Sequence, residues 1–297
     1  MKTRNLLLGM ACMAAFTACS NNEEPVMPAA QTRAVTINVG TGADTRSALA
    51  VDGVSLKRTW ASTDKLSILF LGEDNTAVLE NFNLKSGAGT TSAVFEKSDS
   101  KLPATGTTNV LVWVDPWDAA YKAFDVSVQN GTLSGSYGQG SLSSNDWLTT
   151  ETTVTDGEFP ASVSLESKSI FLKIPAGTKL INNATGDQSY LMTVYNDNIV
   201  SRYNFSISDE GFNYNLGSGG YVNIRHPGLK DGKLVDDCYI ALMAKGDITS
   251  LTINLNEYTV TYDSYATDNE ITVREFKTPL EFGHIYTIQQ SDLTLSE

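Results

Sequence analysis

Histidine and cysteine are nearly missing from this sequence, with two of the first and three of the second in 297 residues. His226 sits in the turn-like run Arg225-His226-Pro227-Gly228, and His284 opens an alternating segment after Gly283. A Ser-His-Asp site needs a histidine beside a nucleophile, and no Gly-x-Ser-x-Gly elbow occurs. Metal-ligand spacings are missing as well: there is no Cys-x-x-Cys, no His-x-x-x-His and no Asp-rich calcium loop. No catalytic residue, metal or cofactor is therefore assigned, and the expectation is a protein that is not an enzyme. Gly138-Gln139-Gly140-Ser141 lacks the later glycine and the helix of a nucleotide fingerprint. Positive charge is scarce too. Against 34 acidic residues stand 21 basic ones with no basic stripe, which argues against nucleic acid as a partner. The paired carboxylates of a carbohydrate-active enzyme meet in space rather than in sequence, so that possibility stays open here.

Long apolar runs are also missing, and the one short run explains itself. Lys2 and Arg4 form a positive n-region, Leu6 to Phe16 an apolar stretch, and Phe16-Thr17-Ala18-Cys19 puts small residues just before a cysteine. The stretch is far short of the ~20 residues a spanning helix needs. It resembles the lipobox of bacterial lipoproteins, with Phe16 in place of the usual Leu. The resemblance implies a signal peptide over 1–18, acylation (palmitate) of Cys19 and a protein held in the outer membrane, at the cell surface. Cys12 fits less well, because Met10 stands where a small residue belongs. A plain cleaved signal with a chance cysteine is the alternative. Removing Lys2 and Arg4 with the signal takes the formal charge from −13 to −15. Residues 19–33, rich in Asn, Glu, Pro and Ala, read as a lipidated tether. Within it, Ser20-Asn21-Asn22-Glu23-Glu24 resembles the acidic stretch behind the lipidated cysteine of surface-exported Bacteroidota lipoproteins, with a solvated spacer as the other reading.

Beyond the tether the dominant period is two. Val35, Ile37 and Val39 alternate with polar residues, as do Leu66, Ile68 and Phe70; Phe124, Val126 and Val128; Ile170, Leu172 and Ile174; Leu251, Ile253 and Leu255; and Tyr258, Val260 and Tyr262. Gly, Asn, Asp and Ser clusters such as Gly72-Glu73-Asp74-Asn75 separate these segments. No helical periodicity persists beyond about three turns. The pattern predicts an all-β protein of β-sandwiches, in which amphipathic sheets bury one another's apolar faces. The length predicts two of them, and the polar stretch Thr149–Gly157 places the boundary near 158, giving domains 34–158 and 159–297. Cys238, on the face of Ile240 and Leu242, reads as a buried small hydrophobe. Of the aromatics gathered in the first half, Trp113 lies in the apolar run Val110–Val114 and reads as core. Trp117, after Asp115-Pro116, is the candidate exposed ring for contacting a ligand.

One stretch is more specific. Arg58-Thr59-Trp60-Ala61-Ser62-Thr63-Asp64-Lys65-Leu66-Ser67-Ile68-Leu69-Phe70 resembles the fimbrillin-like family, subunits and anchors of Bacteroidota type V pili, which carry a Trp, a short gap, an Asp and an alternating strand. The leading strand Ala34 to Gly40, Thr45-Arg46 after it, Ala93-Val94-Phe95 and the terminal Phe282-Gly283-His284-Ile285-Tyr286 are similar to the family in the same order. The resemblance implies two transthyretin-like β-sandwich domains and a fimbrial subunit, tip or anchor component serving adhesion. It also implies partners: other fimbrial subunits joined by donor-strand addition, and a host surface or glycan. In that family an Arg-specific protease removes the leading strand, which points to Arg46 as the processing site, with Arg33 as the alternative, and to Ile285–Leu295 as the donor strand. A surface glycan-binding lipoprotein of a polysaccharide-utilisation system is the competing reading.

Overall fold

Alternation becomes strand from the first described residue. The computed structural model describes residues 33–41, 50–52, 55–57, 59–115, 123–133, 142–188, 190–217, 219–225, 228–257 and 270–295. All of these lie in one compact unit, Thr32–Glu297. Cys19, Arg46, Trp117, His226 and the alternating segment Tyr258 to Tyr262 lie outside the described residues.

The chain opens with β1 (Arg33–Thr41), a short hairpin of β2 (Ala50–Asp52) and β3 (Ser55–Lys57), then β4 (Lys65–Leu71), β5 (Ala77–Ser86), β6 (Ser92–Ser100) and β7 (Thr107–Asp115). Next come β8 (Ala123–Asp125), β9 (Val128–Gln129), a 3-10 turn at Leu142–Asn145, β10 (Leu148–Thr155), β11 (Val163–Ser167) and β12 (Ile170–Ile174). The remainder runs through β13 (Asp187–Gln188), β14 (Tyr190–Tyr195), β15 (Ile199–Val200), β16 (Arg202–Ser208), β17 (Gly211–Leu216), β18 (Tyr221–Arg225), β19 (Leu229–Lys230), β20 (Lys233–Leu234), β21 (Cys238–Ala244), β22 (Leu251–Glu257), β23 (Glu270–Val273), β24 (Ile285–Thr287) and β25 (Leu293–Leu295). Among the described residues the helical turns are short 3-10 pieces, so the protein is all-β.

Seven strands close on themselves in the order β1-β11-β10-β7-β4-β5-β6. Their inward residues, among them Val35, Ile37, Val39, Leu66, Ile68, Phe70, Phe82, Phe95, Val110 and Val112, form one core. The predicted alternation is what aims them there. The other core lies between a six-stranded sheet, β25-β23-β22-β14-β18-β9, and a four-stranded one, β15-β21-β12-β24. That arrangement is a sandwich, whereas the first core is wrapped by a sheet without free edges.

The two cores meet through strands buried on both faces. In β4 and β7 the residues that point out of the barrel, Leu69, Leu111 and Trp113, belong to the second core. This is why Val110–Val114 reads as a continuous apolar run rather than an alternating one. β21 is buried at every position, with Ile240 and Leu242 in the second core and Tyr239 and Ala241 packed with Phe171 and Ile285 on its other side. Residue 158, where the sequence suggests a boundary, falls in a tight turn: Thr155 N donates to Glu158 O (3.1 Å) and Glu158 N to Thr155 O (2.9 Å). Asp156 and Gly157 take φ of 49° and 71°, the mirror-image turn that suits a hairpin. The strands on either side, β10 and β11, pair with each other in the barrel sheet.

Trp60 and Asp64, the residues behind the family resemblance, act as the residue types suggest. The Trp60 ring is buried and meets Phe95 edge-on, with centroids 4.9 Å apart. Its backbone is tied to the β5–β6 connection by Trp60 N to Thr90 O (3.0 Å) and Gly89 N to Trp60 O (2.7 Å). The Asp64 carboxylate accepts from Ala61 N at 2.7 Å and closes the turn that delivers β4. A buried carboxylate, Glu80, accepts from Ser100 Oγ (2.6 Å) and Lys101 N (2.7 Å), which joins β5 to β6 where their ladder stops.

Candidate functional site

The site the sequence points to is the leading strand and the slot it fills. β1 pairs antiparallel with β6 from Arg33↔Ser100 to Gly40↔Ser92, with one bulge, and parallel with β11 over Val39–Thr41 only. It is therefore held along its whole length on one side and over three residues on the other. Val35, Ile37 and Val39 point inward and are 4%, 0% and 1% exposed, while Thr36 and Asn38 face solvent. Alongside its first half a cavity of about 270 Å³ opens between Ala34–Thr36, Asn81, Asn83 and Glu96–Asp99. Taking β1 away would leave an apolar trench lined by residues such as Ile68, Phe82 and Phe95. It would also leave a row of unpaired backbone groups on β6, a state that another strand repairs.

Of the sequence-predicted site residues, Cys19, Arg46 and Trp117 lie outside the described residues. Arg33 is the first residue of β1, so a cut after it would keep Ala34–Thr41 paired. The proposed donor, Ile285 to Leu295, is not one strand. β24 is the edge of the four-stranded sheet and pairs parallel with β12, Gln290–Asp292 forms a 3-10 turn, and β25 is the edge of the six-stranded sheet. Ile285 and Ile288 are core residues, whereas Leu293 and Leu295 are half-buried on β25, which is held by three residue pairs to β23. The sequence shows the alternation but not that, of two edge strands each held by three residue pairs, only the first puts a side chain into the core.

A feature missed from sequence is an aromatic cluster in the second core, which reaches the barrel strand β7 through Trp113. Trp147 lies 4.9 Å from Tyr203, 5.9 Å from Phe124, 6.1 Å from Phe205 and 6.3 Å from Tyr214, all between ring centroids, and Phe205 also meets Trp113. The β16–β17 hairpin that supplies three of these rings pairs with β8, and its Tyr214 hydroxyl donates to Glu151 of β10. Burial, and then the Glu151 carboxylate, push the Tyr214 phenol far above its ordinary pKa. The signal was the collection of Trp and Tyr in one region, but their partners on β16 and β17 are distant in sequence.

His284 is about half exposed, with Nδ1 at 3.1 Å from Phe282 O and 3.7 Å from Glu281. Cys238 is fully buried, and burial pushes its thiol up to about 12. Alkylation tests this directly: native protein at pH 8 should resist iodoacetamide at Cys238 for hours, and denaturant should expose it to complete labelling. Rapid native labelling would mean that β21 opens.

No family model and no curated protein matches the sequence. Among solved structures, the chain is similar to a candidate cell adhesion protein from Bacteroides uniformis at 12% identity and a TM-score of 0.44, covering 89% of this chain and 95% of that one. It is also similar to a fimbrial assembly protein from Parabacteroides distasonis at 13% identity and a TM-score of 0.41, covering 89% and 94%. A candidate cell adhesion protein from Bacteroides fragilis stands at 10% and 0.39, covering 90% and 94%. At such identity and TM-score neither a partner nor an activity carries across to this chain.

Proposed function

We propose that the protein is a surface lipoprotein that serves as a fimbrial subunit, tip or anchor component, assembles by strand exchange and functions in adhesion. The observation that carries this reading is β1 itself. It is an N-terminal strand whose apolar face completes a core, and it is bonded fully on one side only. It lies between a predicted lipid attachment at Cys19 and a predicted cut at Arg46. The family resemblance around Trp60 and Asp64 supports the same reading, as does the lightly held β25. Cleavage after Arg46 would release the lipid and β1 together and open the slot. An uncut copy would remain at the membrane as an anchor.

Fractionation of cells tests the proposal. Cys19→Ala should shift the protein from the membrane to the soluble fraction or leave its signal uncleaved. Arg46→Ala should leave lipid-bound monomers and remove the protein from surface fibres seen by labelled electron microscopy. Fibres of unchanged number and labelling with Arg46→Ala would defeat the processing step.

A further inference from the structure

The outer face of the six-stranded sheet carries a second, independent arrangement. Tyr195 of β14 and Tyr221 of β18 stand directly opposite each other in register, 43% and 38% exposed, with centroids 5.5 Å apart and planes 25° from parallel. The next rung is fixed by Asn196 N donating to Gly220 O at 2.9 Å, so the rings sit on a braced corner of the sheet. Beside them on the same face, Thr193 Oγ1 donates to Asn223 Oδ1 at 2.9 Å, and Asn223 is partly exposed.

We infer that this face is a binding site for an uncharged oligosaccharide. The rings supply apolar faces for the C–H side of a sugar, and the tyrosine hydroxyls, with the partly exposed Asn223 beside them, supply polar groups for its hydroxyls. Arg225 lies four residue pairs along the β14–β18 ladder from Tyr221. The chain's net charge of −13 disfavours sialylated or sulfated glycans further. Because the corner is braced before anything binds, little ordering is lost on binding. This inference rests on the adhesive part of the proposed function and not on strand exchange.

The test is a screen of the purified full-length protein against neutral oligosaccharides, glucans, mannans and galactans, with sialylated and sulfated counterparts, followed by titration calorimetry on the best neutral binder. Tyr195→Ala and Tyr221→Ala should each weaken binding about tenfold or more, while Tyr195→Phe, which keeps the ring, should stay within about threefold. Melting temperatures should barely change, since both rings are largely at the surface. Absence of binding to every neutral sugar would overturn the inference, as would binding that survives the double Tyr→Ala change. A shift in oligomeric state without sugar binding would overturn it in favour of contact with a second copy. Neither cleavage nor polymerisation enters these measurements, so failure here leaves strand exchange standing, and failure of strand exchange leaves this site standing.

Discussion

A chain that begins at Ser47, lacking β1, should lose about 4.5–9 kcal/mol of stability, because burying each of Val35, Ile37 and Val39 contributes about 1.5–3 kcal/mol. That is comparable with the whole stability of an ordinary domain, about 5–15 kcal/mol. The exposed edge of β6 adds unpaired backbone groups to the cost. The truncated chain should therefore melt far below the intact one or aggregate. A synthetic peptide spanning Ala34–Thr41 should restore the melting temperature, and the same peptide carrying Ile37→Asp should not, since a carboxylate cannot enter the core unpaired. Truncation that lowers the melting temperature by only a few degrees, or rescue by both peptides equally, would mean that β1 is dispensable to the barrel and that no slot exists.

The second large effect concerns Trp147. Replacing it with Ala removes a ring of the second core that touches Phe124, Tyr203, Phe205 and Tyr214, and should cost about 3–5 kcal/mol. In a chain of this size that corresponds to a drop of roughly 8–15 °C. Its indole Nε1 is buried without a partner, so Trp147→Phe should cost much less: it trades some volume for the loss of an unsatisfied donor. Thermal melts of both variants decide the matter. A Trp147→Ala protein that melts within about 3 °C of wild type would show that the cluster contributes little to the second core, and a Trp147→Phe change as harmful as Ala would show that the N–H is satisfied.

The inward faces were legible in the sequence wherever one face of a strand meets a core and the other meets water or polar residues. Val35, Ile37 and Val39, and Leu251, Ile253 and Leu255, lie where a period of two puts them, and Ile170, Leu172 and Ile174 do so as well even though Phe171 is buried on the other face of β12. Phe124 and Val126 are likewise buried, but Val128 is 50% exposed, because the chain passes from β8 to β9 and Gln129 turns inward in its place. There the Gln129 amide donates to Val126 O and Ala241 O and accepts from Ala241 N, a satisfied buried polar group that no hydropathy pattern announces. Double burial also hides from periodicity: the outward Leu69, Leu111 and Trp113 could be read as apolar, but not as belonging to a different core. The polar stretch Thr149–Gly157 reads in sequence as a domain boundary, and the structure has a tight turn at Asp156-Gly157. Whether the strands around it stay together depends on pairing between distant segments, which local composition does not encode. The slot was legible as an amphipathic leading strand; its three-residue seam with β11 was not, since that depends on register.

The central claim is that β1 is a removable strand whose place another strand takes. Polymer purified from the cell surface, sequenced from its N-terminus and measured by intact mass, tests this most directly. The account predicts subunits that begin at Ser47, carry no lipid, and crosslink residues facing the β1 slot to the Leu293–Leu295 strand of a neighbouring copy. Assembled subunits that still begin at Cys19, with lipid attached and β1 in place, would contradict it.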